Sequence, residues 1–445
     1  MKTDILILGA GSAGFAAAYR ALKTGGCTVT LVDCNPAPGG TSTFGGVNCW
    51  EPGIGGRRTD DVHFEIARRL IQSGDAFVGK TTEFCTSERR YAVSDRSDSS
   101  YEATLHRHQV APPDQRRFHF EPAAMSYVMN SLLTEEGGER LNTYFSSRLI
   151  SVNVQNRQIQ SCVIETPHGI ITVIPHIVID CTGDIVGARM ARCDTVYGAD
   201  SAMETGESAA PPVHQDQLNG ITQCFRIDKG EFCMPSEFSG HDFDEWDMHM
   251  ERYDGPVSCF NVYPRGGISV NMLPTMEGVS LMNLTDSELK YQLKGRVWRY
   301  FSWLRKRCSL TDYTIVHIFP LPGIRESYRL RGKYILCQED LIRGCSVLGE
   351  DHNIAWADHP SDIHGAGGRL TQTGEYGIPY ECMLPKEIDN LLVACRGSSF
   401  THLAASSARL SRTMLQLGEA AGYAAVVCIR ENLLPGTIPI EAIQR

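Results

Sequence analysis

The sequence predicts an α/β fold in which a parallel sheet is interrupted by an inserted, mixed α+β unit. Three observations predict it. An unbroken apolar run near the N-terminus leads directly into clustered glycines and an alanine-rich stretch. A second short apolar run follows and ends on an acidic residue. Two further apolar runs, over 177–180 and 390–394, lie far along the chain and supply later strands of the same sheet.

The first element is the strand Asp4-Ile5-Leu6-Ile7-Leu8, whose continuous apolar character suits a strand buried on both faces. It enters Gly9-Ala10-Gly11-Ser12-Ala13-Gly14 and then a helix to about Lys23. Strand, GxGxxG and helix in that order form the dinucleotide-binding turn of a Rossmann-like fold. Gly9 allows the tight turn, Gly11 lets backbone approach a pyrophosphate, and Gly14 with Ala18 lets helix and sheet pack closely. Free N–H groups at the helix start then hold phosphate. The second strand, Thr28 to Val32, ends in Asp33, about 20 residues on, where a carboxylate accepts hydrogen bonds from ribose hydroxyls and repels a 2′-phosphate. NADP is therefore disfavoured, while the motif alone does not separate FAD from NAD.

After Asp33 the chain runs through Pro36-Ala37-Pro38-Gly39-Gly40-Thr41-Ser42-Thr43 and Gly45-Gly46, a hydroxyl-rich loop where an NAD domain would continue into a helix. Residues 86–118 are polar and lack helical period, and read as a surface excursion. Pro122 opens a helix with Met125, Val128, Met129, Leu132 and Leu133 on one stripe. Thr143 to Val154, Ile159 to Glu165 and Gly169 to Val173 alternate as antiparallel strands and lead into the strand ending at Asp180. The domain division expected is 1–194 with 376–445 for the dinucleotide-binding domain and 195–375 for a substrate or cap domain. Within the latter, 288–308 interleaves Lys and Arg with Trp298, Tyr300, Phe301 and Trp303. A membrane-surface or anion-binding helix would look like this, but so does an amphipathic helix burying Leu289, Leu293, Val297, Phe301 and Leu304, and that reading is preferred. A final helix is expected from about Arg412 to Asn432.

Composition narrows the function classes. The 445 residues carry 42 Lys and Arg against 52 Asp and Glu, a net charge of −10, which argues against nucleic acid as a partner. The apolar runs are too short for an export signal or a membrane span, so a cytoplasmic location is expected. Sixteen cysteines show no CxxC pair, and they read as reduced thiols rather than an iron–sulfur site, a zinc site or a disulfide scaffold.

The loop Gly39-Gly40-Thr41 resembles that of the FAD-dependent oxidoreductases of the two-dinucleotide-binding-domain class, in which it runs along the FAD diphosphate towards the flavin. Ile177 to Asp184 is similar to the strand and Thr182-Gly183-Asp184 turn that passes near FAD in those enzymes. Gly323-Ile324-Arg325-Glu326-Ser327, Arg331-Gly332, Asp362-Ile363-His364, Ile378-Pro379-Tyr380, Asn390 to Arg396 and Leu417 to Gly422 follow the order of a family related to the fumarate reductase and tricarballylate dehydrogenase flavoproteins. The resemblance implies a glutathione-reductase-like FAD domain of the fumarate-reductase-type branch. It implies FAD held by Gly9, Gly11, Ser12, Ala13, Gly14, Asp33, Gly39, Gly40, Thr41, Ser42, Gly45, Gly46, Thr182, Gly183, Asp184 and Arg396. It further implies that the last helix points its positive N-terminal end at the flavin pyrimidine.

The chemistry expected is hydride transfer between flavin N5 and a small polar substrate, carbohydrate-like or a carboxylic acid. That reaction needs a proton acceptor or donor and, for a carboxylate, a cationic clamp. His364, His402, Arg325 and Arg396 are the candidates, with Arg409 beside them. His352, His359, Asp351, Asp358 and Asp362 contain no HxH or HxxxH pair and read as a polar loop without metal. With no second GxGxxG unit, a dedicated NAD(P)H domain is not expected, and the electron partner stays open. A flavin oxidase or hydroxylase using oxygen, and a non-catalytic flavin-binding redox sensor, are the alternatives.

Overall fold

A computed structural model describes residues 1–51, 61–80, 84–85, 116–240, 258–271, 275–308, 310–364, 369–371 and 373–443. The central sheet has strand β1 (Lys2–Leu8) at its middle, and Ile5, Leu6, Ile7 and Leu8 are all 2% exposed or less. The unbroken apolar run is thus sealed on both faces, as a strand inside a covered parallel sheet requires. Helix α1 (Ser12–Thr24) and strand β2 (Val29–Val32) follow β1. Five strands run parallel in the order Leu141–Tyr144, β2, β1, Gly169–Asp180 and Leu391–Val393. Leu8 is paired with both Val32 and Asp180, and Asp180 with Val393, so these strands end level with one another. The turns after them therefore emerge along one edge of the sheet, where open α/β sheets bind ligands.

The alanines of α1 have a structural reason. Ala13, Ala16, Ala17, Ala18 and Ala21 are buried between the sheet and the C-terminal helix, Ser411–Glu431. That helix presents Gly418 and Gly422 to α1, and a β-carbon at either would lie 2.0 or 2.2 Å from the carbonyl oxygen of Ala13 or Ala17. Small residues on both helices let their backbones touch. The helix Pro122–Gly137 covers α1 from another side with Met125, Val128, Met129, Leu132 and Leu133 buried, as its stripe predicts.

Gly169–Asp180 is long enough to join a parallel and an antiparallel part of one sheet. Its second half lies in the parallel sheet, and its first half pairs antiparallel with Gln158–Thr166, which pairs with Arg148–Gln155. The expected single strand from Thr143 to Val154 is instead two. Leu141–Tyr144 joins the parallel sheet beside β2, and the chain turns at Ser146, with φ of 50°, before Arg148. The N–H groups of Ser146 and Ser147 bond the carbonyls of Asn35 and Asp33, tying this turn to the end of β2.

A second, antiparallel sheet has the order Tyr313–Ile318, Phe225–Lys229, Ile268–Asn271, Ser258–Val262 and Phe84–Cys85. The helix Asp286–Arg307 covers it, burying Leu289, Leu293, Val297, Phe301 and Leu304 and opening on a Thr285/Glu288 capping box. This matches the amphipathic reading of the basic, aromatic stretch. The strand Phe84–Cys85 reaches this sheet from early in the chain, which local patterning did not signal. Most of the excursion expected over 86–118 lies outside the described residues. Its last residues do not fit a surface loop: Arg116–Phe120 is a strand between Cys49–Trp50 and Ala76–Lys80, and Phe118 is fully buried. Cys308 is disulfide-bonded, so the expectation of uniformly reduced thiols fails there. Among the described residues no helix is long and apolar enough to cross a membrane.

Candidate functional site at the carboxyl edge of the parallel sheet

Gly9 turns the chain with φ of +92°, and a β-carbon there would lie 2.5 Å from the Cys181 carbonyl oxygen. Its N–H bonds the Val32 carbonyl at 2.7 Å, fastening β1 to β2. At Gly14 a β-carbon would lie 1.7 Å from the Gly9 carbonyl oxygen. Gly11 differs from both, because a β-carbon there would meet no protein atom within 4 Å. Helix α1 begins without a side-chain cap, and the Ser12 hydroxyl in its first turn is buried without a hydrogen-bond partner. Uncapped N–H groups, an orphaned hydroxyl and open space over Gly11 together suit an external anion.

Asp33 lies against this turn. Its carboxylate accepts hydrogen bonds from the Ala10 N–H at 2.5 Å, the Asn35 N–H at 2.6 Å and the Asn35 side chain at 2.9 Å. Burial pushes its carboxyl above the ordinary range, with those donors acting in opposition. Asp33 thus braces the glycine turn as well as standing where a ribose is expected.

The second glycine loop packs on the first. The Gly39 N–H bonds the Ala10 carbonyl at 2.8 Å, and a β-carbon at Gly40 would lie 3.0 Å from the Gly11 α-carbon. The Thr41 carbonyl accepts from the Val47 N–H at 3.0 Å, and Gly45 turns back over Thr41. Gly46 faces the Phe319 ring, which any side chain at 46 would strike. The Ser42 hydroxyl accepts from Trp50 Nε1 at 2.9 Å and lies 3.3 Å from the Ser411 hydroxyl, joining the loop to the start of the C-terminal helix.

At the end of the strand Gly169–Asp180, buried Asp180 accepts from the Thr182 N–H and hydroxyl at 3.0 and 2.8 Å and from the Ala188 N–H at 2.9 Å. Gly183 lies beneath the Arg396 guanidinium, where a β-carbon would be 2.2 Å from a guanidinium nitrogen. Arg396 and the Ser327 hydroxyl both donate to Asp184 at 2.5 Å. Arg396 therefore pins the turns that follow two neighbouring strands. Cys181 and Cys395 are buried nearby as free thiols, and burial pushes Cys181 well above its ordinary value and Cys395 up to about 12. Neither is poised as a thiolate.

A buried charged cluster begins where the C-terminal helix starts. Arg412 pairs with Glu51 at 3.0 Å and with Asp358. Glu51 also meets Arg117 at 3.4 Å and His359 Nδ1 at 3.4 Å. His359 Nε2 lies 3.8 Å from Asp362 Oδ2, the same oxygen that holds His364 Nε2 at 2.7 Å and lies 3.6 Å from Arg409. Arg325 donates to the Gly220 carbonyl at 2.8 Å and the Thr222 hydroxyl at 2.7 Å. Burial, then the neighbouring Arg409, lowers Arg325 to about 10, so it stays charged at neutrality. Burial, then Arg325, pushes His364 down to about 4 against the pull of Asp362, leaving a neutral imidazole. Burial opposes charge on His359 too, but the Glu51 and Asp362 carboxylates outweigh it and hold it above its ordinary value.

His402 is placed elsewhere. Its Nδ1 lies 2.8 Å from Glu326, which also pairs with Arg329, and Arg329 bonds Asp200 at 2.7 Å. All four side chains are nearly sealed from solvent, and the His402 N–H also bonds Asp200 at 2.8 Å. This closed network joins the Glu326 segment to the helix His402–Ala408.

The sequence profile described as FAD dependent oxidoreductase matches residues 4–445. The chain belongs to this family. No curated protein matches it. Among solved structures, this FAD-dependent oxidoreductase is similar to a geranylgeranyl bacteriochlorophyll reductase-like protein from Thermoplasma acidophilum. The identity is 13%, over 97% of this chain and 79% of that one, with a TM-score of 0.45. It is also similar to L-proline dehydrogenase from P. horikoshii, at 12% identity over 99% and 96% of the two chains, with a TM-score of 0.40. A third is p-nitrophenol 4-monooxygenase from Pseudomonas putida, at 9% identity over 75% and 70%, with a TM-score of 0.40.

FAD is the cofactor of the family, and the residues present fit it. The open face of Gly11, the orphaned Ser12 hydroxyl and the uncapped start of α1 are suited to its phosphates, with Asp33 beside them. The FAD-dependent oxidoreductase also contains a functional candidate that sequence reading missed, Glu51, and two that it set aside as parts of a polar loop, His359 and Asp362. A signal existed: Asp362 and His364 stand two residues apart at the end of the strand Ser361–Ile363, a spacing that puts both on one face of an extended chain.

Proposed function

We propose that this FAD-dependent oxidoreductase is a dehydrogenase or reductase for a small polar substrate bound beside the Arg325, Asp362, His364 and Arg409 cluster. When bound, FAD accepts or gives a hydride at its ring. The observation that carries the reading is the Asp362–His364 contact of 2.7 Å. Asp362 holds the Nε2 side of the imidazole, which leaves Nδ1 as the position for exchanging a proton with substrate. Arg325 and Arg409 supply positive charge for an anionic substrate group, and carboxylic acids are favoured over neutral carbohydrates for that reason.

Charge balance supports this preference. Among the described residues of the cluster, Arg117, Arg325, Arg409 and Arg412 face Glu51, Asp358 and Asp362, so four cations meet three anions before His359 is counted. The Ser42–Ser411 contact and the Arg412 pairs link the cluster to the glycine loop expected along FAD. The order of motifs favours the fumarate-reductase-type branch, with 195–375 as the substrate-bearing unit.

The test is anaerobic reduction of the FAD-loaded enzyme followed by a panel of carboxylates, hydroxy acids and sugars, read from the flavin spectrum. Oxidation or reduction by a carboxylate, abolished in Arg409→Gln, is expected. A response to no small molecule, but to a protein partner, would overturn the reading in favour of a redox sensor. Rapid reoxidation by oxygen with an oxygenated product would favour a hydroxylase.

A further inference from the structure

We propose that His359 is a positioning residue whose positive charge shares the Asp362 carboxylate with His364 and thereby keeps His364 a weak base. The inference rests on the reading of His364 as the proton-exchanging group, but its test does not require turnover.

Three nitrogen groups converge on one oxygen. Asp362 Oδ2 lies 2.7 Å from His364 Nε2, 3.6 Å from Arg409 and 3.8 Å from His359 Nε2. An aspartate paired with a single histidine raises the basicity of that imidazole. Here the carboxylate's field is divided, and two of the three groups that divide it are cations. Arg409 is permanently charged at neutral pH. His359 is the adjustable member, because its other ring nitrogen, Nδ1, faces Glu51 at 3.4 Å, and a carboxylate on each side favours the imidazolium.

His364 is faced by Asp362 from its own segment, by Arg325 and by Arg409. His359 is faced by Glu51, Asp362 and Arg409, and Glu51 in turn by Arg412 and Arg117. The His359 carbonyl accepts from Ser407 and from the Thr373 hydroxyl, which fixes the backbone at that position. A neutral residue at 359 would leave Asp362 with one cation fewer, and the proton affinity of His364 would rise.

The experiment follows each imidazole by NMR titration of the FAD-loaded protein carrying labelled histidine, with the His364 signal assigned by its absence in His364→Gln. His359→Gln is expected to raise the His364 midpoint by about one pH unit, a tenfold gain in proton affinity. His359→Arg, which restores a fixed cation, is expected to leave the midpoint near its original position. An unmoved midpoint in His359→Gln overturns the proposal. So does an equal rise in both variants, which would assign the effect to packing instead of charge. Failure of the substrate assignment is read separately, as retained substrate-dependent flavin reduction in His364→Gln.

Discussion

Gly418 rests directly on the backbone of Ala13, so that a β-carbon at 418 would lie 2.0 Å from the Ala13 carbonyl oxygen. The contact fixes the first turn of α1 relative to the C-terminal helix, whose start carries Ser411 and Arg412. Gly418→Val is expected to lower stability by about 3 kcal/mol or more, since two helix backbones must separate to admit the side chain. Gly374→Ala, where a β-carbon meets nothing, should change stability by no more than about 0.5 kcal/mol. Denaturant unfolding of the two variants checks this.

Gly11 and Gly14 belong to one motif but should fail differently. Gly11→Ala meets no protein atom, so the apoprotein should keep its stability to within about 1 kcal/mol while FAD affinity falls roughly tenfold or more. Gly14→Ala strikes the Gly9 carbonyl and should destabilise the apoprotein itself. Thermal melts without FAD, paired with flavin fluorescence titrations, separate the two. Equal loss of apoprotein stability in both would contradict the assignment.

His364 and His402 make a second contrast. His364→Gln is expected to preserve the fold and to slow substrate-dependent flavin reduction by about 10² to 10⁴, the usual contribution of a general acid or base. His402→Gln removes a partner of buried Glu326 and should cost about 2 kcal/mol of stability. Stopped-flow reduction and chemical unfolding on both variants give the comparison.

His119 predicts a pH dependence of stability. It is buried, stacked on Phe77 at 4.9 Å, and pushed down to about 3 by burial and by Arg117. The unfolded chain binds a proton at this site below about pH 6.5, but the folded protein does not. Stability should therefore fall as pH drops from about 6.5 towards 3, by about 1.4 kcal/mol per unit once the unfolded imidazole is fully protonated. In His119→Phe that part of the slope should disappear. Urea midpoints across this range measure it.

Much of the architecture was legible because it is written in short-range patterns. The apolar run Ile5–Leu8 and the glycines after it specify a buried strand and a dinucleotide turn, and the stripe from Leu289 to Leu304 specifies an amphipathic helix. The break at Ser146 was not legible, because strands on either side of it have the same alternation whether they continue or change partners. The strand Phe84–Cys85 was missed for a related reason: two residues carry too little periodicity to announce a partner far along the chain.

The sequence by itself determined the family, the strand–glycine–helix turn and the small residues that let helices touch, since each depends on neighbouring residues along the chain. Only the tertiary structure decided which charged groups meet. Glu51 reaches His359 and Arg412 from a remote part of the chain, while His402, equally promising by its surroundings in sequence, closes on Glu326. Electrostatic interaction depends on distance in space, and that distance is set by how the sheet edge and the C-terminal helix bring remote segments together.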